Sequence, residues 1–250
     1  MRKSSRLGDY IIELSEIDST NNYAIKLLGE GMAEHGLCIR ADWQSQGKGQ
    51  LGNTWISEES KNVLMSVVID TARFPIELQY HMNAMTCLAL TEFLMADLQV
   101  RDISIKWPND IYSGARKLSG VLIENIIRGS QWSHAILGIG LNLNQTRFPD
   151  LNRATSVRNE TGKSLKVNQA CRQILKQLNK FYELFCASPQ IIFEEYNRNL
   201  YRIHQTITLK KNNELFQATM RGVSSQGELE VEQEGKIRRY RHKEIEIVMS

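Results

Sequence analysis

Apolar positions along this chain fall into two textures. Up to about residue 200, short apolar runs alternate with helical patterns; beyond it, strict alternation in short segments takes over. Tyr10 to Leu14 reads as a short strand. Asp18, Ser19 and Thr20 then offer capping oxygens. Tyr23, Ala24, Leu27 and Leu28 follow at helical spacing, with Gly31 as a natural stop. Leu37 to Trp43 and Asn62 to Ile69 read as strands, and the polar stretch Gln44 to Lys61, with three glycines, reads as a loop. The longest helical pattern runs from Pro75 to Leu98, with the proline near its first turn. Ile103 to Trp107, Asp110 to Tyr112, Lys117 to Ile127 and His134 to Asn142 read as strands. Gln145 to Leu165 is polar, lacks a clear period and reads as a loop. Val167 to Cys186 and Ile191 to Leu200 read as helices.

After Tyr201 the alternating segments are Thr206 to Leu209, Leu215 to Val223, Glu228 to Gln233, Lys236 to Tyr240 and Glu244 to Val248. Turn signals at Asn212-Asn213, Gln226-Gly227 and Glu234-Gly235 separate them. Short strands at this spacing predict a small antiparallel barrel. A boundary near residue 202 divides the chain into units 1–202 and 203–250, and the pattern as a whole predicts an α/β (α+β) protein. No internal repeat or low-complexity stretch interrupts it.

Composition changes this picture little. The 250 residues are 42% hydrophobic and 24% charged, as in ordinary globular proteins, and a formal net charge of +3 does not by itself point to nucleic acid. Cys38, Cys87, Cys171 and Cys186 contain no CxxC pair, which argues against a zinc or redox motif; Cys38 and Cys87 lie in apolar runs and read as core thiols. The basic start lacks the apolar run of a signal peptide, and no apolar stretch is long enough to span a membrane. A reducing cytoplasm is the expected setting.

Four clusters can carry chemistry. Gly47-Lys48-Gly49-Gln50-Leu51-Gly52 has the letters of a dinucleotide fingerprint, and Asp70 lies downstream. That motif needs a helix opening at its last glycine, whereas Asn53 to Lys61 is short and polar. The better reading is a glycine loop whose amides and Lys48 can wrap a phosphate; a turn with a solvated lysine is the plain alternative. Lys106-Trp107-Pro108-Asn109-Asp110 joins two strands, with proline breaking the ladder and Asn109 and Asp110 at a strand end. A plain turn explains the isolated pentapeptide as well as a site does. Lys117 opens the apolar strand Leu118 to Glu124, either as a snorkelling surface residue or as a cation over a reacting phosphate. Gly138 and Gly140 permit close approach of a ligand or backbone, and Asn142 adds an oxygen suited to a ligand or a magnesium shell.

In order and spacing, Asp18-Ser19-Thr20-Asn21, Gln44 through Trp55, KWPND at 106–110, KLSGVLIE at 117–124 and GIGLNLN at 138–144 resemble the biotin–protein ligase family. The likeness spans about residues 10–145, and the C-terminal β unit looks like that family's SH3-like appendage. The resemblance implies a mixed-sheet catalytic domain that binds biotin and ATP with Mg²⁺ and forms biotinyl-5'-AMP. Biotin then passes to a lysine of a biotin carboxyl carrier protein. It implies that Ser19, Thr20, Asn21 and Gln44 meet the ureido ring of biotin. Lys48, Gly49 and Gln50 close over biotin and the adenylate phosphate, Trp55 walls the pocket, and Lys117 contacts the carboxylate and α-phosphate. Asn109 and Asn142 are placed on the adenylate side, Asn142 also as a metal ligand. Ala154, Thr155 and Ser156 are placed beside the adenine, and Asp110 is the candidate base for the acceptor lysine.

The family loop is commonly arginine-rich; here Lys48 is its one cation, with Gln50, Leu51 and Asn53 at the other positions. No N-terminal helix-turn-helix precedes the pattern, so the resemblance is to ligases without a DNA-binding domain, and no specific DNA or membrane partner is expected. Two alternatives stand. One is a lipoate or octanoate ligase or transferase on the same scaffold, against which no arginine- and glycine-triplet motif is found. The other is a non-catalytic binding module using the basic run Arg238 to Lys243.

Overall fold

The computed structural model describes residues 6–149, 151 and 153–249. The side chain of Leu51 and the first five positions of the basic start lie outside that description. In chain order the elements are β1 (Ile11–Ile17), α1 (Thr20–Gly29), β2 (Cys38–Gln44), β3 (Val63–Asp70), α2 (Gln79–Glu92), β4 (Ile103–Lys106), β5 (Asp110–Ser113), β6 (Arg116–Arg128) and β7 (Gln131–Leu141). There follow α3 (Val157–Thr161), α4 (Val167–Ala187), α5 (Pro189–Arg198), β8 (Thr206–Lys211), β9 (Glu214–Val223), β10 (Leu229–Gln233), β11 (Lys236–Tyr240) and β12 (Glu246–Val248).

Among the described residues, seven strands form a mixed sheet in the order β1-β2-β3-β7-β6-β5-β4. β1 and β2 are parallel, and the other neighbours are antiparallel. β3 is buried along nearly all its length, the pattern of a central strand covered on both faces. Alternation sorts its residues: Val63, Met65, Val67 and Ile69 enter the main core with α2, α4 and α5, while Val68 faces α1. α2 is buried from His81 to Thr91 because it lies between the sheet and helices α4 and α5. On the opposite face, Ala24, Leu27 and Leu28 of α1 close over Ile39, Val68 and Ile136. α1 contacts only β2, β3 and β7 of that face appreciably, which leaves the rest of it for a cavity.

The five strands from Thr206 form an antiparallel sheet ordered β11-β10-β9-β8-β12, consistent with an SH3-like unit. Ile207, Leu209, Met220, Val231 and Ile247 continue the main apolar cluster rather than forming a separate one. The Val223 amide donates to Asn197 Oδ1 (2.7 Å) and Arg153 Nη1 donates to the Met249 carbonyl (2.7 Å).

The strand and helix expectations hold to within a few residues, with two differences. The segment 145–165, expected as loop, contains α3. Ser156 Oγ caps it by accepting from the Asn159 amide at 3.1 Å, and Gly162 ends it at φ +73°. Five residues are too few to display a helical period. The pattern from Pro75 to Leu98 resolves into a 3₁₀ turn (Ile76–Leu78), α2 and a π turn (Phe93–Asp97).

The turn between β4 and β5, which includes a cis Trp107-Pro108 peptide, is held from three sides. The Pro108 carbonyl accepts from Asn83 Nδ2 of α2 (2.9 Å) and from the Tyr196 hydroxyl of α5 (2.8 Å). Tyr80 OH stands 2.8 Å from Tyr196 OH. Since the Tyr196 proton goes to Pro108, Tyr80 donates to Tyr196, and both lone pairs of the carbonyl are used. Burial pushes both phenol pKa values up, so the donors stay protonated. Tyr196→Phe should therefore lower unfolding stability by about 1 kcal/mol. Adding Tyr80→Phe, which removes the neighbouring hydroxyl that could replace it at 3.3 Å, should lower it further. Urea unfolding of the two variants checks this.

Candidate functional site

The uncovered part of the α1 face is floored by glycine. Gly120 of β6 pairs with Gly140 of β7, and Gly138 follows two positions away on the same face. A Cβ at Gly138 would lie 2.4 Å from Asn21 Oδ1, and one at Gly140 would lie 2.5 Å from Trp55 Cε2. These glycines let the first turn of α1 and the Trp55 indole rest directly on the sheet. The cavity above has a volume of about 210 Å³.

At its inner end lies a polar cluster. Ser19 occupies the N-cap of α1 in an extended conformation without capping through its hydroxyl. Its place is taken by Gln44, at the end of β2, whose Oε1 accepts from the Thr20 amide (2.7 Å) and stands 3.0 Å from Thr20 Oγ1. Ser66 of β3 lies 2.7 Å from Thr20 Oγ1 and 2.5 Å from Asn21 Oδ1. The Asn21 amide nitrogen donates to Glu124 Oε2 at 2.7 Å, which orients its oxygen toward Ser66. All of Ser19, Thr20, Asn21 and Ser66 are buried. Beside them, the Asn22 amide donates to Asp18 and holds its carboxyl below the usual range.

Residues 47–55 fold back over the cavity as a narrow hairpin. The Trp55 amide donates to Gly47 O (2.8 Å), Lys48 bridges Thr54, and the Gly49 amide donates to Asn53 O (2.7 Å). Lys48 Nζ lies 3.6 Å from Glu124 Oε1. Gln50 Oε1 and Trp55 Nε1 are buried without a hydrogen-bond partner among the described residues, so the cavity wall holds one unmatched acceptor and one unmatched donor.

Along the cavity, Lys117 Nζ pairs with Asp110 Oδ1 at 2.7 Å and stands 5.6 Å from the Trp55 ring centroid. A bulge places it there. Pairing of β5 with β6 shifts between Ile111 and Tyr112, so Asp110 faces Gly120 but Tyr112 faces Lys117. In an unbroken strand Lys117 and Gly120, three apart, would point to opposite faces. The extra residue sends Leu118 into the core and Lys117 to the cavity. Asn109 Nδ2 donates to the Val121 carbonyl and fixes the adjoining turn to β6.

The outer end is built by the turn and the C-terminal unit. Lys106, Trp107, Pro108, His242, Ile245 and Glu246 line it. Trp107 Nε1 donates to Gly227 O at 2.9 Å, and its ring meets His242 edge-on at 5.5 Å. Burial lowers the Lys106 pKa, opposed by Asp110 and Glu246.

Of the residues singled out from sequence, Ser19, Thr20, Asn21 and Gln44 come together at the inner end. Lys48, Gly49, Gln50 and Trp55 form the cover, and Asn109, Asp110 and Lys117 line the middle. Asn142, Ala154, Thr155 and Ser156 do not line this cavity. The Asn142 side-chain amide donates to Thr155 O (3.0 Å), Thr155 Oγ1 donates to Glu160 Oε1 (2.5 Å), and Ser156 caps α3. Their segment instead brackets Lys117: the Lys117 amide donates to Arg153 O (2.6 Å) and its carbonyl accepts from the Thr155 amide (2.9 Å). No cluster of three metal-ligating His, Cys, Asp or Glu residues occurs among the described residues. The Asn142 side-chain nitrogen is committed to the Thr155 carbonyl, and the residue lies outside the lining of the cavity. Sequence reasoning missed Ser66 and Glu246, and it quoted Lys106, Glu124 and His242 within motifs without giving them a place in the site. Ser66 and Glu124 sit in apolar strands at positions that alternation assigns to the α1 face, a signal that was available. Nothing local marks His242 or Glu246.

An enclosed polar head pocket, a glycine floor under an aromatic ring, and paired lysines beyond it suit a small ligand with a polar head, an apolar stem and an anionic end. The class is an α/β small-molecule enzyme with an appended β unit. Residues 14–142 match the model of the biotin/lipoate A/B protein ligase family, and the chain belongs to that family. It is 27% identical to the bifunctional ligase/repressor BirA of Escherichia coli over 96% of this chain and 74% of that protein. It is 26% identical to biotin–protein ligase 2 of Arabidopsis thaliana over 90% of this chain and 70% of that protein. The solved biotin protein ligase from Aquifex aeolicus in complex with biotin and ATP superposes with a TM-score of 0.80 at 26% identity, covering 97% of this chain and 100% of that one.

Gly140→Ala tests the floor. The added methyl has no room under Trp55, so the indole must lift, at a cost of about 1–3 kcal/mol. The variant should remain folded by far-UV circular dichroism and show a changed tryptophan emission, whereas Gly29→Ala, facing open space, should leave the emission unaltered.

Proposed function

We propose that the chain is a biotin–protein ligase: it converts biotin and Mg-ATP into biotinyl-5'-AMP and pyrophosphate, then transfers biotin to a lysine of a biotin carboxyl carrier protein. The observation that carries this reading is the proton count at the inner end of the cavity. Gln44 Oε1, Thr20 Oγ1, Ser66 Oγ and Asn21 Oδ1 form three successive close contacts. Only the two hydroxyls can place a proton in them, since the Thr20 amide and Glu124 orient the two carboxamide oxygens inward. The cluster is one donor short. The ureido ring of biotin carries two N–H groups, while the dithiolane of lipoate carries none. The Aquifex aeolicus ligase, similar over nearly the whole chain, is a biotin and ATP binder.

The chemistry follows from the charges beyond that head pocket. The biotin carboxylate attacks the α-phosphorus of ATP, the bond to the β-phosphate oxygen breaks, and pyrophosphate leaves. Two anions must meet, so cations are needed. Lys117 and Lys48, paired with Asp110 and Glu124, supply them on the protein side. Mg²⁺ enters with ATP as part of the substrate, since magnesium on phosphates needs few protein ligands. Residues 1–202 supply the biotin- and ATP-binding side chains in this reading, and residues 203–250 close the outer end. ATP as substrate favours a cytoplasmic setting; no described helix is long and apolar enough to cross a membrane. Within the basic run near the C-terminus, Arg239 pairs with Glu230 at 2.8 Å and Arg241 with Glu228 at 3.4 Å, which offsets part of its charge.

Two experiments bear on this. Pyrophosphate release should be fast with biotin and slower by about tenfold to a hundredfold or more with lipoate, since an unmatched buried polar group costs about 1–3 kcal/mol; equal turnover with lipoate would refute the assignment. Lys117→Ala should reduce adenylation by about 10²-fold or more while leaving the protein folded. Near-normal turnover would remove this lysine from the mechanism.

A further inference from the structure

The second half-reaction needs a base, and the cavity holds one that the resemblance to known ligases does not assign. The acceptor nitrogen attacks the acyl carbon of the mixed anhydride, the carbon–oxygen bond to phosphate breaks, and AMP leaves with the electron pair. The new nitrogen is cationic and must lose a proton to become an amide. The best base for this is neutral at working pH, with a pKa near it, and reaches the nitrogen from the side on which the carrier arrives.

The carboxylates at the cavity are placed for other tasks, and Glu246 on the outer wall supports the charge of Lys106. Asp110 is committed to Lys117 at 2.7 Å. Glu124 is committed to Asn21 at 2.7 Å and to Lys48 at 3.6 Å, at the inner end. His242 is placed differently. It sits in the turn between β11 and β12, exposed at the mouth of the cavity, with its ring edge-on to Trp107 at 5.5 Å. Trp107 is three residues before Asp110, which holds Lys117; His242 lines the same cavity as both and feels the charge of Asp110. The C-terminal unit that carries it is fastened there through Trp107 Nε1 on Gly227 O and Arg153 on Met249 O.

We propose that His242 is the catalytic base of the transfer step, accepting the proton of the acceptor lysine nitrogen and passing it to solvent. The charged groups acting on the ring are Asp110 and Lys243, with Lys106 and Glu246 on the same outer wall. Partial burial against that wall pushes the imidazole pKa below its ordinary value, Asp110 raises it and Lys243 lowers it. Below that pKa the ring is protonated and cannot accept; above it the ring is neutral and competent. The role also explains why a β unit outside the main sheet closes the cavity: it brings the base to the rim.

This inference rests on the ligase reading, and the test separates the two. Full-length wild type and His242→Ala are loaded with biotin and Mg-ATP, and adenylation is read as pyrophosphate release. A biotin carboxyl carrier domain is then added, and single-turnover transfer is read by mass. Transfer by His242→Ala should fall about 10²-fold, at least about tenfold more than adenylation. Added imidazole should restore part of the loss, since the position is open to solvent. The gap to wild type should narrow as pH rises and hydroxide replaces the base. Transfer at the wild-type rate, equal loss in both half-reactions, or a loss indifferent to both imidazole and pH would each overturn the role of His242. Absence of pyrophosphate release from wild type with biotin would instead overturn the ligase reading.

Discussion

The carbonyl of Pro108 is the point on which the rest of the molecule converges. A carbonyl at the tip of a tight turn is normally left to water. Here it is buried under two helices and saturated by Asn83 from α2 and Tyr196 from α5. The same three-residue turn sends Trp107 outward to Gly227 of the C-terminal unit and Asn109 inward to the Val121 carbonyl of β6. The helical layer, the sheet, the appended β unit and the cavity thus share one rigid joint. Buried hydrogen bonds fix such a joint more firmly than apolar contact does, because leaving any one partner unmatched in the interior is costly.

From that joint the site follows by geometry. The turn sets the start of β5, and Asp110 at that start holds Lys117. The bulge in β6 brings Lys117 to the face that Gly120 and Gly140 keep clear. At the other end, the first turn of α1 lies against Gly138, and its polar residues meet Gln44 and Ser66. In the proposed function, a head cluster and a charged tail site on neighbouring strands of one sheet would grip the two ends of the ligand. Such a mounting holds two reacting groups in register better than separate loops could.

Much of the fold was legible along the chain. The apolar runs of β3 and β7, the helical period of α4 and the alternation after Thr206 are local signals, and the elements appear where those signals fall. α3 was missed because a five-residue helix has no period to read, although Ser156 and Gly162 marked both its ends. The order of motifs from Ser19 to Asn144 also told which residues belong to one family of sites. Hydrogen-bonding types at strand and helix ends retain their meaning when read one segment at a time.

The sequence by itself therefore determined the element types, the family and most of the residues that gather around the cavity, since each depends on neighbours within a few positions. Tertiary structure alone decided the rest. Only the register shift opposite Tyr112 turns Lys117 toward Gly120, and a bulge of one residue leaves no mark in a pattern of apolar and polar letters. Only the packed sheet brings Ser66 and Glu124 into contact with Asn21, across 45 and 103 positions. The side chains of Asn142 and Thr155, placed on the adenylate side from the sequence, bond to groups next to them in the folded chain. His242 reaches the cavity from a different sheet. The physical reason is the same in each case: these placements are set by which distant surfaces exclude water together and by which buried polar groups must find partners, and both are properties of the folded whole.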